Sequence, residues 1–258
     1  MTSNTIRHIG LAFIAVLLLL FPTSFVRHLA RLGGHRIAPG ARIGFSLVLS
    51  RRIYLDSQTR IGHLNIIRND RLLLRKGAYI GHLNTIHGPV GILLAKRAAI
   101  GNRNVVSRAA RGVTYGAAVF RLGELSKITA SHSIDCTVSV TFGEFSTLAG
   151  KGSQIWTHGY VHAMEGAERY RVDGRVCLGR NVYVGSRAII TGGVNISDGI
   201  MVGVGTVVSK SISKPGMYVS SAIRYLPKPG DPRARADMEP VTAPGLVETV
   251  YRKRDPCA

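Results

Sequence analysis

Aliphatic residues recur at every sixth position through most of this chain. The strictest run lies towards the C-terminus, where the intervals are uninterrupted. Its members are Leu178, Val184, Ile190, Ile196, Val202 and Val208. A Gly, Ser or Thr directly follows each of them, and a small or β-branched residue lies four positions after each. The pattern therefore repeats as aliphatic, small, any, any, small or branched, any.

This period excludes an ordinary strand or helix as the repeating unit. Side chains repeat every two residues in a strand and about every 3.6 residues in an α-helix. Six residues fit one flat face followed by a turn, so three faces make a coil of about eighteen residues. Coils of this kind stack about 4.8 Å apart through strand pairing. The pattern predicts an all-β fold, a parallel β-helix with the aliphatic residues pointing inward.

The same spacing occurs upstream of the strict run, with short interruptions. Together the runs predict about eight coils, with breaks near 68–73, 87–93, 107–121 and 153–175, where loops leave the helix. The upstream members are Ile37, Ile43, Leu49, Leu55, Ile61 and Ile67, then Leu74, Ile80 and Ile86, then Leu94, Ile100 and Val106, then Leu122, Ile128, Ile134 and Val140.

The first 36 residues follow a different pattern. Residues 9–21 carry no charge and are almost all apolar, Pro22 follows them, and basic residues including Arg27, Arg31 and Arg36 come next. The run is shorter than the roughly 20 residues that a spanning helix needs. We expect a hairpin-like or interfacial membrane anchor over 1–36, with the basic flank at an anionic cytoplasmic surface. A spanning helix, a cleaved signal and a buried soluble helix are the alternatives.

Composition narrows the partners of the chain. The 258 residues carry 34 Lys and Arg against 14 Asp and Glu, which gives a net charge of +20. That charge favours anionic partners such as lipid or a phosphorylated carrier. Nucleic acid is not expected, because no aromatic and basic recognition motif accompanies the charge. Three cysteines without a CxxC pair indicate neither a disulfide framework nor a zinc finger.

The segment that begins LGRNVYVGSRAIITGGVNISDGIMVGVG at residue 178 resembles the closing coils of the hexapeptide-repeat acyltransferases. It is most similar to the sugar O-acetyltransferase branch, which includes maltose and nodulation-factor acetyltransferases. The resemblance implies a left-handed parallel β-helix over 37–226, a homotrimer, and acetyl-CoA as acyl donor without a metal. It predicts a sugar or glycan acceptor.

The loop QIWTHGYVHAMEGAERYRVDG, residues 154–174, resembles the family loop that carries a Thr-His motif and the catalytic base. Thr157 and His158 fit that motif best, and His162 is the competing base. Imidazole suits this role because its pKa lies near neutrality. Trp156 and Tyr160 are candidates for stacking on a sugar, while Glu165, Glu168 and Asp173 are candidates to orient the imidazole. His132 and Asp135 are candidates to line the same cleft from the coils below.

The resemblance also implies a coenzyme A groove beside the C-terminal coils, between neighbouring subunits. By motif position, one set of residues would bind the pantetheine arm, and two basic residues would contact the phosphates. Val204 stands where the family usually has alanine. The arm residues are Gly185, Ser186, Gly203, Val204 and Gly205, and the cations are Lys210 and Arg224.

A repeated motif and the proline-rich C-terminus each lead to a separate prediction. The motif IGHLN occurs at 61–65 and 80–84, so we expect His63 to stack on His82 and Asn65 on Asn84. With His87 these histidines also permit an alternative, a zinc hydratase like the γ-type carbonic anhydrases. Residues 227–258 hold six of the ten prolines, and we expect an irregular basic tail with a short helix around 245–253.

The sequence therefore predicts a membrane-associated O-acetyltransferase at the cytoplasmic face of the inner membrane. It would act on a sugar hydroxyl of a surface polysaccharide or lipid-linked glycan precursor. The alternatives are N-acylation of an amino sugar nucleotide, the zinc hydratase and a non-catalytic solenoid.

Overall fold

Three parallel sheets run along the computed structural model of the chain, which describes residues 3–220, 236–247 and 249–254. Strands follow one another from face A to face B to face C and back to A. Face A holds Arg36–Ile37, Arg52–Leu55, Arg71–Leu74, Val90–Leu94, Ala118–Leu122, Val140–Phe142, Val176–Leu178 and Asn195–Ile196. Face B holds Arg42–Ile43, Arg60–Ile61, Tyr79–Ile80, Ala99–Asn102, Lys127–Ala130, Thr147–Lys151, Tyr183–Val184, Met201–Val202 and Met217–Tyr218. Face C holds Leu47–Val48, Ile66–Arg68, Thr85–His87, Val105–Ser107, Ser133–Asp135, Gln154–Ile155, Ile189–Ile190 and Val207–Val208.

This topology is a parallel β-helix, and it confirms the predicted fold class. In the described part of the chain, eight strands stack on faces A and C and nine on face B, in line with about eight coils. The six residues of the strict run are all buried, two on each face. One upstream position differs from the pattern: Val48 is buried on face C, whereas Leu49 is only half-buried.

Close stacking at the corners explains the small residues in the repeat. A Cβ atom on Gly143 would approach the backbone of Gly179 in the next coil to 2.5 Å, which no real side chain tolerates. Asn65, Asn84 and Asn104 form a buried ladder, in which Asn84 Nδ2 donates to Asn65 Oδ1 at 2.9 Å. Each of these amides also donates to a backbone carbonyl of the following coil, so the turns hold neighbouring coils in register.

Two helices cover the N-terminal end of the β-helix. The first, α1, is Ser3–Leu20, and the second, α2, is Thr23–Leu32; they are separated at Pro22. Ile14 and Leu18 of α1 and Val26 and Ala30 of α2 belong to the same buried cluster as the first coils. The Thr23 hydroxyl accepts a hydrogen bond from Ile43 N at 2.7 Å and so attaches α2 to face B. Within the described residues, neither helix combines the length and apolarity that crossing a membrane requires.

Two excursions leave the coils, both at predicted breaks. The first covers the loop between Ser107 and Ala118, and the second is the antiparallel pair His158–His162 and Arg169–Asp173. We call residues 158–173 the site hairpin. Val250–Lys253 pairs in parallel with Arg169–Asp173 and antiparallel with Met238–Val241. The helix expected around 245–253 is therefore wrong: this part of the tail is a strand, because it completes the sheet begun by the hairpin.

Candidate active site

His158 and Asp135 meet where the site hairpin leaves the coils. Ser133–Asp135 pairs with Gln154–Ile155 on face C, which puts Asp135 one coil below the residues that lead into the hairpin. His158 Nδ1 lies 2.9 Å from Asp135 Oδ2. The same carboxylate accepts hydrogen bonds from the backbone N–H and hydroxyl groups of Thr137 and Thr157. Asp135 is thus a fixed and fully hydrogen-bonded anion under the imidazole.

This contact changes the pKa of both groups. The hydrogen bond to Asp135 raises the pKa of His158, against an opposing effect of burial. Burial disfavours the charged form of Asp135, but the hydrogen bonds from His158 and Thr157 outweigh it and lower the pKa of that carboxyl. Because Nδ1 donates its proton to Asp135, the neutral imidazole has its lone pair on Nε2. The pair has the arrangement of a general base with its orienting carboxylate.

Aromatic side chains line the surface beside His158. The Trp156 and Tyr160 rings stand edge-on to the imidazole, with centroid distances of 6.2 and 6.1 Å, and both are exposed. Trp156 Nε1 donates to Gln154 Oε1 at 2.8 Å, and the Arg169 guanidinium lies 5.2 Å from the Tyr160 ring. The two exposed rings therefore flank the imidazole and are available to contact a bound sugar.

His162 lies at the far end of the same strand. It is exposed and pairs with Arg169 in the hairpin ladder. It lies four positions along the strand from His158, about 13 Å at the usual rise per residue. The structure thus brings His158, and not His162, to the carboxylate.

A buried ion pair supports the base of the hairpin. Arg171 and Asp173 form a two-pronged contact, with Nε to Oδ1 at 2.9 Å and Nη2 to Oδ2 at 3.2 Å, and their side chains are 2% and 0% exposed. Arg171 Nη1 also donates to the carbonyl of Val113 at 2.6 Å, in the loop between Ser107 and Ala118. Asp173, a candidate to orient the imidazole, is paired with Arg171 instead; Asp135 has that position.

His132 lies inside the coil and outside the cleft. Its side chain is 1% exposed; Nδ1 accepts a hydrogen bond from Ser153 N at 3.1 Å, and Nε2 lies 3.0 Å from Thr129 Oγ1. Burial lowers the pKa of His132 to about 4, so the ring is neutral at physiological pH. With both ring nitrogens satisfied, it contributes to coil stacking and cannot touch a ligand in this conformation.

The five residues predicted for the pantetheine arm form one corner of the β-helix. Gly185 and Ser186 follow a strand of face B, and Gly203, Val204 and Gly205 follow the next strand along that face. Gly205 N donates to Ser186 O at 2.9 Å, and Gly185 N donates to Val202 O at 2.8 Å. The side chain of Val204 is 70% exposed, so it projects from this corner into solvent. We call residues 185–186 and 203–205 the BC corner.

Of the two predicted phosphate contacts, the structure describes only Lys210. Lys210 is exposed just after the last strand of face C. Arg224 lies outside the described residues. The BC corner and His158 occupy opposite edges of face C, because the hairpin leaves where face C passes into face A.

The histidines of the repeated IGHLN motif stack as expected. The His63 and His82 rings lie 5.5 Å apart at 9°, and His63 N donates to His82 Nδ1 at 3.0 Å. His87 lies elsewhere, on face C, where it pairs with Ser107. Over the described ranges, no three His, Cys, Asp or Glu side chains converge as a set of metal ligands.

The sequence patterns did not predict three features of the site. They are the hydrogen bonds from Thr137 to Asp135, the Arg171–Asp173 ion pair and the pairing of the C-terminal strand with the hairpin. The offset between Ser133 and Gln154 is one coil, and counting coils could have put Asp135 under the Thr-His motif. Nothing in the repeat could have found Arg171, because the hairpin lies outside the six-residue period.

Among known proteins, only solved structures were found to be similar to this chain. No protein-family model matches the chain. No curated protein matches it either.

One similar structure is the polysialic acid O-acetyltransferase OatWY, at 17% identity, covering 72% of this chain and 80% of that one, with a TM-score of 0.48. Another is AntD, an N-acyltransferase from Bacillus cereus in complex with dTDP and 3-hydroxybutyryl-CoA. It is 15% identical, the match covers 76% of this chain and 84% of that one, and the TM-score is 0.38.

Proposed function

We propose that this protein is an acetyl-CoA-dependent O-acetyltransferase whose acceptor is a sugar hydroxyl of a glycan. The observation that carries the proposal is the contact of His158 Nδ1 with Asp135 Oδ2 at 2.9 Å beside the exposed rings of Trp156 and Tyr160. A base with its lone pair on Nε2, flanked by two exposed aromatic rings, suits proton removal from a bound sugar.

The reaction needs two proton transfers through one imidazole and the exchange of a C–S bond for a C–O bond. His158 Nε2 takes the proton of the acceptor hydroxyl while that oxygen attacks the thioester carbonyl of acetyl-CoA. The C–S bond then breaks, the new C–O ester bond remains, and the thiolate takes the proton from the imidazolium to leave as CoA thiol. Asp135 stabilises the imidazolium between these steps, because its carboxylate is held anionic by hydrogen bonds.

The donor is proposed to lie along the BC corner, where Val204 and Gly205 are exposed. Within one chain, face C separates that corner from His158. This separation supports a homotrimer in which the corner of one subunit faces the His158 of its neighbour. The same geometry serves an amino group as acceptor, so N-acylation of an amino sugar nucleotide is the competing outcome of the test.

The test measures CoA release with acetyl-CoA and matched acceptors, a glycan and its amino analogue. We expect His158→Ala to lower kcat by about 10²- to 10⁴-fold, the usual contribution of a general base. His162→Ala is the matched control on the same strand and should change kcat little, because that ring does not contact the carboxylate.

Equal rates for wild type and His158→Ala would contradict the proposed mechanism. If only the amino analogue is acetylated, the acceptor group is an amine and not a hydroxyl. If calorimetry detects no binding of acetyl-CoA, the chain is a non-catalytic solenoid.

A further inference from the structure

The two N-terminal helices carry a continuous row of exposed apolar side chains. On α1, Phe13, Val16 and Leu20 are exposed, and on α2 Phe25, Leu29 and Leu32 are exposed, Leu32 to 87%. The spacing of three and four residues puts each set on one side of its helix. The Phe21 and Phe25 rings lie 6.1 Å apart and join the two sets. We call these seven residues the helical apolar face.

The packing of the helices on the first coils does not use this face. The opposite side of each helix already supplies Ile14, Leu18, Val26 and Ala30 to the core. The Thr23 hydroxyl and the Ile43 backbone fix α2 on the first coil. The exposed side chains therefore take no part in the packing of the core. Large exposed apolar patches of this kind mark contact surfaces.

A basic depression of about 930 Å³ lies next to the end of α2. Four exposed arginines line it: Arg31, Arg36, Arg52 and Arg75. Arg52 Nη1 donates to the carbonyl of Gly34 at 3.3 Å. The Arg36 guanidinium lies 5.9 Å from the Tyr54 ring.

Among the described residues, one carboxylate lines the depression and leaves it strongly basic. Asp56 lies 3.6 Å from Arg75 and offsets a single charge. Guanidinium groups bind phosphate through paired N–H donors. The depression therefore has the chemistry of a phosphate site.

We propose that the helical apolar face docks on an anionic phospholipid bilayer, with a lipid phosphate held by the four arginines. Charge complementarity supports this occupant: the arginines adjoin the apolar face, and the chain has a net charge of +20. An apolar strip flanked by basic residues is typical of helices that lie in the interfacial plane. The inference is independent of acetyl transfer, and it specifies a docking surface for the membrane contact expected from the sequence.

Flotation of the full-length protein with vesicles tests the proposal. The vesicles are phosphatidylcholine alone or phosphatidylcholine with phosphatidylglycerol. Wild type should bind the anionic vesicles at least tenfold more tightly, and high salt should weaken the binding. Arg31→Gln with Arg36→Gln should weaken it by about fivefold per arginine. Arg103→Gln with Arg187→Gln removes two exposed arginines away from the helices and should weaken it less.

A second variant, Phe25→Ser with Leu29→Ser and Leu32→Ser, removes the exposed apolar row of α2. We expect loss of vesicle binding with unchanged thermal unfolding. Its matched control, Ile66→Ser with Val105→Ser, changes exposed apolar residues on face C and should bind as wild type does. If this triple variant fails to fold, the arginine variants alone decide.

Three results would overturn the proposal. They are equal binding to both vesicle types, arginine variants that bind as wild type does, and dissociation of an oligomer by the triple variant, which would make the face a contact between copies. CoA release with a soluble acceptor should be the same in all these variants. Failure of membrane docking is thereby distinguishable from failure of the acetyltransferase proposal.

Discussion

At the scale of single residues, the environment of Asp135 decides what His158 can do. Five hydrogen bonds reach its carboxylate, from Thr137, Thr157 and His158. They hold the pKa of Asp135 down although burial opposes ionisation. The anion in turn raises the pKa of His158. Nearby His132 shows the opposite outcome, because burial without a carboxylate lowers its pKa to about 4.

Asp135→Asn tests this coupling through the pH profile. The reaction needs neutral His158, so the acidic limb of kcat/KM should lie above the ordinary histidine pKa of 6.5 in wild type. The amide removes the negative charge while burial of the imidazole remains. The acidic limb should therefore move to lower pH, and the maximal kcat should fall by about 10²-fold.

The control for this experiment is Asp198→Asn, which changes an exposed carboxylate on a coil corner. Its pH profile should match that of wild type. An acidic limb unmoved in Asp135→Asn would separate the carboxylate from the titration of His158.

The same pair also contributes to stability over a defined pH window. The lowered pKa of Asp135 gives stability above the ordinary aspartate pKa, and this is lost as pH falls through the lowered value. The raised pKa of His158 gives stability below the ordinary histidine pKa, and this is lost as pH rises through the raised value. The combined effect is therefore largest between the ordinary aspartate and histidine pKa values.

At the scale of elements, the C-terminal strand holds the site hairpin. Val250–Lys253 pairs with Arg169–Asp173, and Arg171 N donates to Thr249 O at 3.2 Å. Lys253 Nζ donates to the carbonyl of Gly192 at 2.7 Å, which connects that strand to a coil. The hairpin that carries His158 is thus supported by the coils on one side and by the tail on the other.

Tyr251→Pro tests that support. Proline cannot donate to the ladder, so pairing with Val172 should weaken. We expect faster hydrogen exchange over 158–173 and a loss of kcat of about tenfold, because the imidazole is positioned less well. KM for acetyl-CoA should not change, since this strand pairs with the hairpin and with Met238–Val241.

Tyr251→Ala keeps the backbone donor and serves as the control. If Tyr251→Pro retained wild-type exchange in the hairpin, the tail would not support it. A rise in KM together with a fall in kcat would indicate damage to the whole coil.

At the scale of the whole molecule, face C separates the two halves of the proposed site. The BC corner lies at one edge of the face and the site hairpin at the other. We propose that a complete site, with the donor at the corner, combines two subunits. The proposal rests on the order of faces around the coil and on no single residue.

Mixing two inactive variants tests this arrangement. Val204→Trp should block the corner without disturbing the fold, because that side chain is exposed. His158→Ala removes the base. If each site combines two chains, unfolding and refolding the variants together should restore a fraction of activity, since some sites receive an intact corner and an intact His158.

The control is each variant refolded alone, which should stay inactive. Activity that does not return on mixing would mean that corner and base act within one chain, or that Val204 does not border the donor. Substitution of Val204 by alanine, with little added bulk, should leave the activity of the unmixed protein nearly unchanged.

The amino-acid sequence by itself determined the β-helix, because burial of one aliphatic residue per face repeats at a period that no other element has. It also predicted the break that carries His158 and the stacking of His63 on His82. Only the tertiary structure decided which groups meet. Asp135 comes under His158 through the register of two coils, while His132, three residues earlier, is buried. The tail becomes a strand because the hairpin offers it an edge. Such contacts join residues far apart along the chain, and a local pattern does not encode them.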